Sequence, residues 1–180
     1  AHIIVPICAF LYFTKAEIHK SQKSPQTIEN HIMEVLYMHH ENTNLLNEVS
    51  KASKMGIDAI NILLPKIKKE DLKKELKDQC SEYQKLQAKA NEAMSEYNVT
   101  PSKEKMMEQT MLWGSIQMNT LLDSSEQHIA EMMINGTTMG IIDMTKKLNE
   151  LEQPKAKEKE IAEEFIENSQ AYIDMWKNYL

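Results

Sequence analysis

Arginine is absent from the chain: all 21 basic residues among its 180 positions are lysine. The planar fork that grips phosphate or guanine through paired hydrogen bonds is therefore missing. A formal net charge of -6 adds to this and argues against a general nucleic-acid binder. Cysteine is scarce. Cys8 and Cys80 alone build neither a disulfide framework nor a four-thiolate zinc site. With only 4 glycines and 5 prolines, collagen-like and low-complexity classes are excluded. Long apolar runs are missing too. The best, residues 3–13, is interrupted by Pro6 and is too short to span a bilayer as a helix. It is short enough for the core of a secretory signal, but no lysine precedes it. No period-2 strand of useful length occurs. No Gly-x-Ser-x-Gly, phosphate-cradling loop or dinucleotide fingerprint is present either.

What is there is helical spacing. Leu45, Val49, Ala52, Gly56, Ala59 and Leu63 follow a 4-3 rhythm, an apolar seam that Pro65 should end. Leu72, Leu76, Cys80, Tyr83, Leu86, Ala90, Met94 and Tyr97 form a second stripe, with lysines and glutamates on the opposite face. Asn98 to Pro101 reads as a break, and Thr100 or Ser102 as the next cap. A third helix is expected from about Lys103 through Met107, Met111 and Met118 to Leu151. Unbroken it would be about 73 Å long. Asn135, Gly136, Thr137 and Thr138 offer a place to kink or break it. After Pro154 a last helix should turn Ile161, Phe165, Tyr172, Ile173, Trp176 and Leu180 inward. The fold class is all-α, and 42–180 is the expected domain. Residues 1–41 read as an N-terminal extension; the spacing of Ile28, Ile32, Val35 and Leu36 predicts a helical piece within it.

One internal similarity stands out. Met55-Gly56-Ile57 recurs as Met139-Gly140-Ile141, and the same offset maps Leu45 onto Ile129, Val49 onto Met133, Ile60 onto Met144 and Leu64 onto Leu148. The layout is a helix, a turn and a helix, twice, with repeat 1 at about 42–97 and the connection and repeat 2 at about 102–180. Gly56 falls on the seam, where glycine costs about 0.5–1 kcal/mol relative to alanine. Close approach of another helix would offset that cost, so Gly56 and Gly140 are expected to pack closely and to face one another.

Two duplicated antiparallel helix pairs joined by a long connection resemble the ferritin-like four-helix bundle. The Met-Gly-Ile repeat and the stretch from Gln117 to Asp143 are similar to small bacterial members of that superfamily. The resemblance spans about residues 42–180. It implies a di-iron site, which needs a Glu from each of two helices and a Glu-x-x-His from each of the other two. No Glu-x-x-His occurs, and the apolar lines of the second and fourth helices carry no histidine or carboxylate. No cofactor is therefore expected. The remaining metal candidates are His128 with Glu131, three residues apart, and the local cluster Met38, His39, His40 and Glu41. Solvated or internally satisfied histidines are the plainer account of both. Thirteen methionines, eight of them from Met106 to Met144, suit copper(I) or an adaptable surface less well than they suit core filling. Cys80 reads as an inert packer, and Trp113 as core.

These features lead to a non-catalytic helical bundle that acts through protein contacts, self-association into a homodimer included. A cytoplasmic location fits two unpaired-looking cysteines. A metal-binding bundle with a nonstandard site and an envelope-associated protein anchored near residues 3–13 are the alternatives; membrane contact is not expected of the bundle itself.

Overall fold

The computed structural model describes residues 25–98, 125–151 and 154–180. The chain divides into two compact units, 1–38 and 39–180. Among the described residues there are four α-helices and no strand: α1 Pro25–Leu63, α2 Glu70–Glu96, α3 Glu126–Glu150 and α4 Ala156–Trp176.

In the first unit, residues 25–38 are helical and leave Met33, Leu36 and Tyr37 exposed. Everything below concerns the second unit.

Local chemistry explains each helix end. Pro65 has no N–H and would clash with the preceding turn, so α1 tightens into a single 3-10 turn, Leu64–Lys66. Glu70 and Asp71 sit in the first turn of α2, where carboxylates complement the positive end of the helix dipole. Asn98 adopts a left-handed φ of 56° just past the end of α2. The Ser125 hydroxyl accepts the His128 backbone N–H at 3.2 Å and starts α3. Thr100, Ser102 and the helix expected from Lys103, with Met107, Met111, Trp113 and Met118, lie outside the described residues. So do Cys8 and residues 3–13.

Two expectations about α3 need correction. It does not continue from a helix begun upstream, because Ser125 is extended and acts as its cap. Nor does it break at Asn135–Gly136: the helix is continuous through these residues, and Gly136 has no positive φ. Met133, Thr137 and Met144 are all buried on both sides of the dipeptide, so tertiary packing outweighs a local stop signal.

Contacts set the helix directions. Ser50 pairs with Asn91 and Gly56 with Tyr83, so α1 and α2 are antiparallel. Gln79 meets Trp176, Lys89 meets Glu164 and Glu96 meets Lys157, so α2 and α4 are antiparallel as well. Gly140 lies against Phe165 across the short α3–α4 connection. Lys69 pairs with Glu126 at one end, and the Glu48 charge acts on Lys147 near the other, which makes α1 and α3 antiparallel. Every neighbouring pair thus runs in opposite directions, and α2 ends at the far end of the unit from the start of α3.

One core joins all four helices. Leu45, Leu46, Ile60, Leu72, Leu76, Leu86, Ile129, Met144 and Trp176 are fully enclosed. The α2 stripe is buried as expected, with Tyr97 half-buried at its end. The α1 seam is not. Its outer members Leu45, Val49 and Leu63 are core, while Ala52, Gly56 and Ala59 in the middle are only half-buried. The core face of α1 lies to one side, on Leu46, Ser53, Ile57 and Ile60. Leu180 also departs from expectation. It follows the helix end and is 58% exposed.

Candidate functional site

The half-buried middle of the α1 seam is the wall of a pocket. A cavity of about 430 Å³ lies between α1 and α3, with Tyr83 of α2 and Phe165 of α4 also lining it. Ala52, Gly56 and Ala59 line it from α1; Gly136, Thr137 and Gly140 line it from α3. Three of the chain's 4 glycines therefore meet at one place. So do five methionines: Met55, Met132, Met133, Met139 and Met144. Thioethers and bare backbone make an apolar, deformable lining, because methionine has three rotatable bonds and glycine has no side chain.

Tyr83 is held in place by a buried polar chain. The Trp176 indole N–H donates to Gln79 Oε1 at 2.9 Å, and Gln79 Nε2 donates to the Tyr83 hydroxyl at 3.2 Å. Gln79 and Trp176 are both fully buried, so each polar atom in that chain needs its partner. The Tyr83 ring lies under Gly56: a Cβ there would sit 2.5 Å from Tyr83 Cε2. At Gly140 a Cβ would lie 3.4 Å from the Phe165 ring, an ordinary contact. The two rings pack together with centroids 6.1 Å apart. The two glycines line one pocket, but they do not pack closely on one another as expected. Each faces the ring of the following helix, and no atom of α1 lies within 4 Å of a Cβ at Gly140. Gly136 is different again, since a Cβ there would meet nothing within 4 Å.

Among the described residues, the charged members of the lining are Glu48, Lys51 and Asp143. Asp143 is 3.8 Å from Lys146. Among the described residues no histidine, cysteine or serine lines the pocket; its polar groups are the Thr137 and Tyr83 hydroxyls and the three charged side chains.

The metal candidates are placed elsewhere. The His128 backbone is engaged at the start of α3, while its Nε2 is buried without a hydrogen-bond partner, and Glu131 is exposed. The carboxylate therefore does not meet that nitrogen. His39 is half-buried with its ring edge-on to Tyr97 at 4.5 Å. Burial lowers its imidazole pKa, and the nearby positive charges of Lys155 and His40 lower it further. His40 is exposed and lies 3.2 Å from Asn44 Nδ2; Glu41 is half-buried. Among the described residues, no group of three or more His, Cys, Asp or Glu side chains is placed to hold a metal ion. Cys80 is buried and burial pushes its thiol pKa up, which suppresses the thiolate.

A carboxylate does lie on the apolar line of α4, against expectation. Glu158 is only 2% exposed and accepts a hydrogen bond from the Tyr97 hydroxyl. Lys155 Nζ stands 4.4 Å over the Tyr97 ring, and the Lys155 backbone N–H donates to Asn42 Oδ1 at 3.0 Å. This cluster ties α1, α2 and α4 together. It was missed because a glutamate three residues before Ile161 reads as one more charge in a lysine- and glutamate-rich run.

The pocket was half legible. The Met-Gly-Ile repeat and the methionine-rich stretch were visible as patterns, but no sequence signal says that the two patterns face each other. Comparison with family models, with curated proteins and with solved structures finds no match to this chain.

Proposed function

We propose that the protein is a non-catalytic binding module, and that it works by taking an apolar molecule into the pocket between α1 and α3. The observation that carries this reading is the cavity itself. Its volume of about 430 Å³ falls within the range of small-molecule sites, roughly 300–1,000 Å³. Its lining is mostly methionine, glycine, alanine and aromatic ring.

The test is titration with N-phenyl-1-naphthylamine, a neutral apolar fluorophore. Saturable binding of one dye per folded chain is expected. Unsaturable or absent binding would overturn the reading.

Protein contact, with a second copy of the chain as the simplest partner, is the second reading. Met139 and Ile142 favour it, being 66% and 46% exposed on α3, with Met139 on the pocket lining itself. Among the described residues no helix is long and apolar enough to cross a membrane, so the envelope reading has no support from these helices.

A ferritin-like origin by duplication also belongs to this proposal. Supporting it, α1–α2 and α3–α4 repeat one arrangement, with Gly56 under the Tyr83 ring and Gly140 against the Phe165 ring. Burial follows the offset too. Leu45 and Ile129, Val49 and Met133, and Ile60 and Met144 are buried, and Leu64 and Leu148 half-buried. A single long crossover between two hairpins is the ferritin-like way to make all neighbouring helices antiparallel.

A further inference from the structure

We infer that Gly136 is a specificity-determining position: the ligand, a compact uncharged apolar molecule, occupies the space over the bare α3 backbone there. This rests on the pocket-binding reading above. Gly136 lies ten residues into a 25-residue helix. A glycine in a helix interior costs about 0.5–1 kcal/mol relative to alanine. Folding supplies no reason to accept that cost. The φ of Gly136 is not positive, and a Cβ would meet nothing within 4 Å. The other two glycines of the pocket differ, because an aromatic ring of this same chain stands against each. Gly136 is itself exposed and lies on the pocket lining, so it sits at the mouth of the cavity, where a long side chain would stand over the opening.

The ligand's class follows from the charges around that space. Among the described residues, the charged lining residues are Glu48, Lys51 and Asp143. Lys146 stands 3.8 Å from Asp143, and Lys147 feels Glu48. Both signs are thus present in near balance, without arginine to clamp an anion. Carrying a net charge into a lining that is mostly methionine, glycine, alanine and aromatic ring would cost desolvation, and the few charges at its edge are of both signs and favour neither. An uncharged ligand avoids that cost.

The experiment uses the full chain with Gly136→Ala, Gly136→Leu and the control Asn135→Leu, which adds the same side chain one position away, at an exposed residue outside the lining. Urea unfolding is measured without dye, and N-phenyl-1-naphthylamine affinity by fluorescence. Both Gly136 variants should be at least as stable as the parent. Affinity should fall about tenfold or more for leucine and about threefold for alanine, and stay unchanged in the control. The anionic dye 8-anilinonaphthalene-1-sulfonate should bind more weakly than the neutral one. If Gly136→Leu fails to fold, Gly136→Ala decides. Parent-like affinity in the folded Gly136 variants would overturn the role of Gly136 while leaving pocket binding intact. Tighter binding of the anionic dye would overturn the uncharged class. Failure of the parent to bind either dye would instead remove the underlying reading, and this inference with it.

Discussion

Gly56 and Tyr83 show how much one hydrogen atom decides. A methyl group at position 56 would lie 2.5 Å from the ring, and the ring cannot swing away freely because its hydroxyl is held by Gln79. Overpacking of this kind costs about 1–3 kcal/mol, more than the 0.5–1 kcal/mol that alanine returns in helix propensity. Gly56→Ala should therefore lower the urea midpoint, and a midpoint at or above the parent's would contradict the packing described. His39 gives a pH dependence. Its pKa is lowered by burial first, then by Lys155 and His40, so the folded state favours the neutral ring. Stability from this residue is complete above the ordinary value of 6.5. As pH falls below that value the unfolded chain takes up the proton first, and stability is lost until the folded-state pKa is passed. Between about pH 7.5 and pH 5.5 the urea midpoint should fall, and His39→Gln should reduce the fall; an equal fall in both would remove His39 as its source.

At the scale of elements, the helix ends are held by few and specific contacts. The Tyr97–Glu158 bond joins the end of α2 to the start of α4 in a buried place, with Glu158 Oε2 left without any hydrogen-bond partner. Removing this donor takes the hydrogen bond away from a buried carboxylate. Tyr97→Phe should cost about 1–3 kcal/mol in chemical denaturation. A change under about 0.5 kcal/mol, the size of an ordinary surface substitution, would show that the bond carries little. Elements were also where sequence reading went furthest. Pro65 and Pro154 marked real boundaries, and the α2 stripe needed no revision, because a mixed-charge face opposite a regular apolar line leaves one way to bury it. Asn135–Gly136 misled because a stop signal worth about 1 kcal/mol competes with the burial of several side chains on both sides of it.

For the molecule as a whole, the balance between monomer and dimer depends on how much apolar surface stays uncovered. Met139 and Ile142 in the second unit, and Met33, Leu36 and Tyr37 in the first, are all exposed. Sedimentation equilibrium should find a species of twice the 20.9 kDa chain mass, dissociating on dilution; a monomer at every concentration would end the dimer reading. By itself the sequence determined the all-α class, the helix ends at Pro65 and Pro154 and the buried face of α2. All of these depend on spacing or breakers within one segment. It did not determine the pocket, the Trp176–Gln79–Tyr83 chain or the Glu158 clamp. Each of these requires residues tens of positions apart to meet, and periodicity names the apolar face of a helix without naming what that face will touch. The α1 seam makes the point: Ala52, Gly56 and Ala59 have core spacing, yet only the docking of α3 across them, too far away to fill the gap, turns that part of the seam into the wall of a cavity.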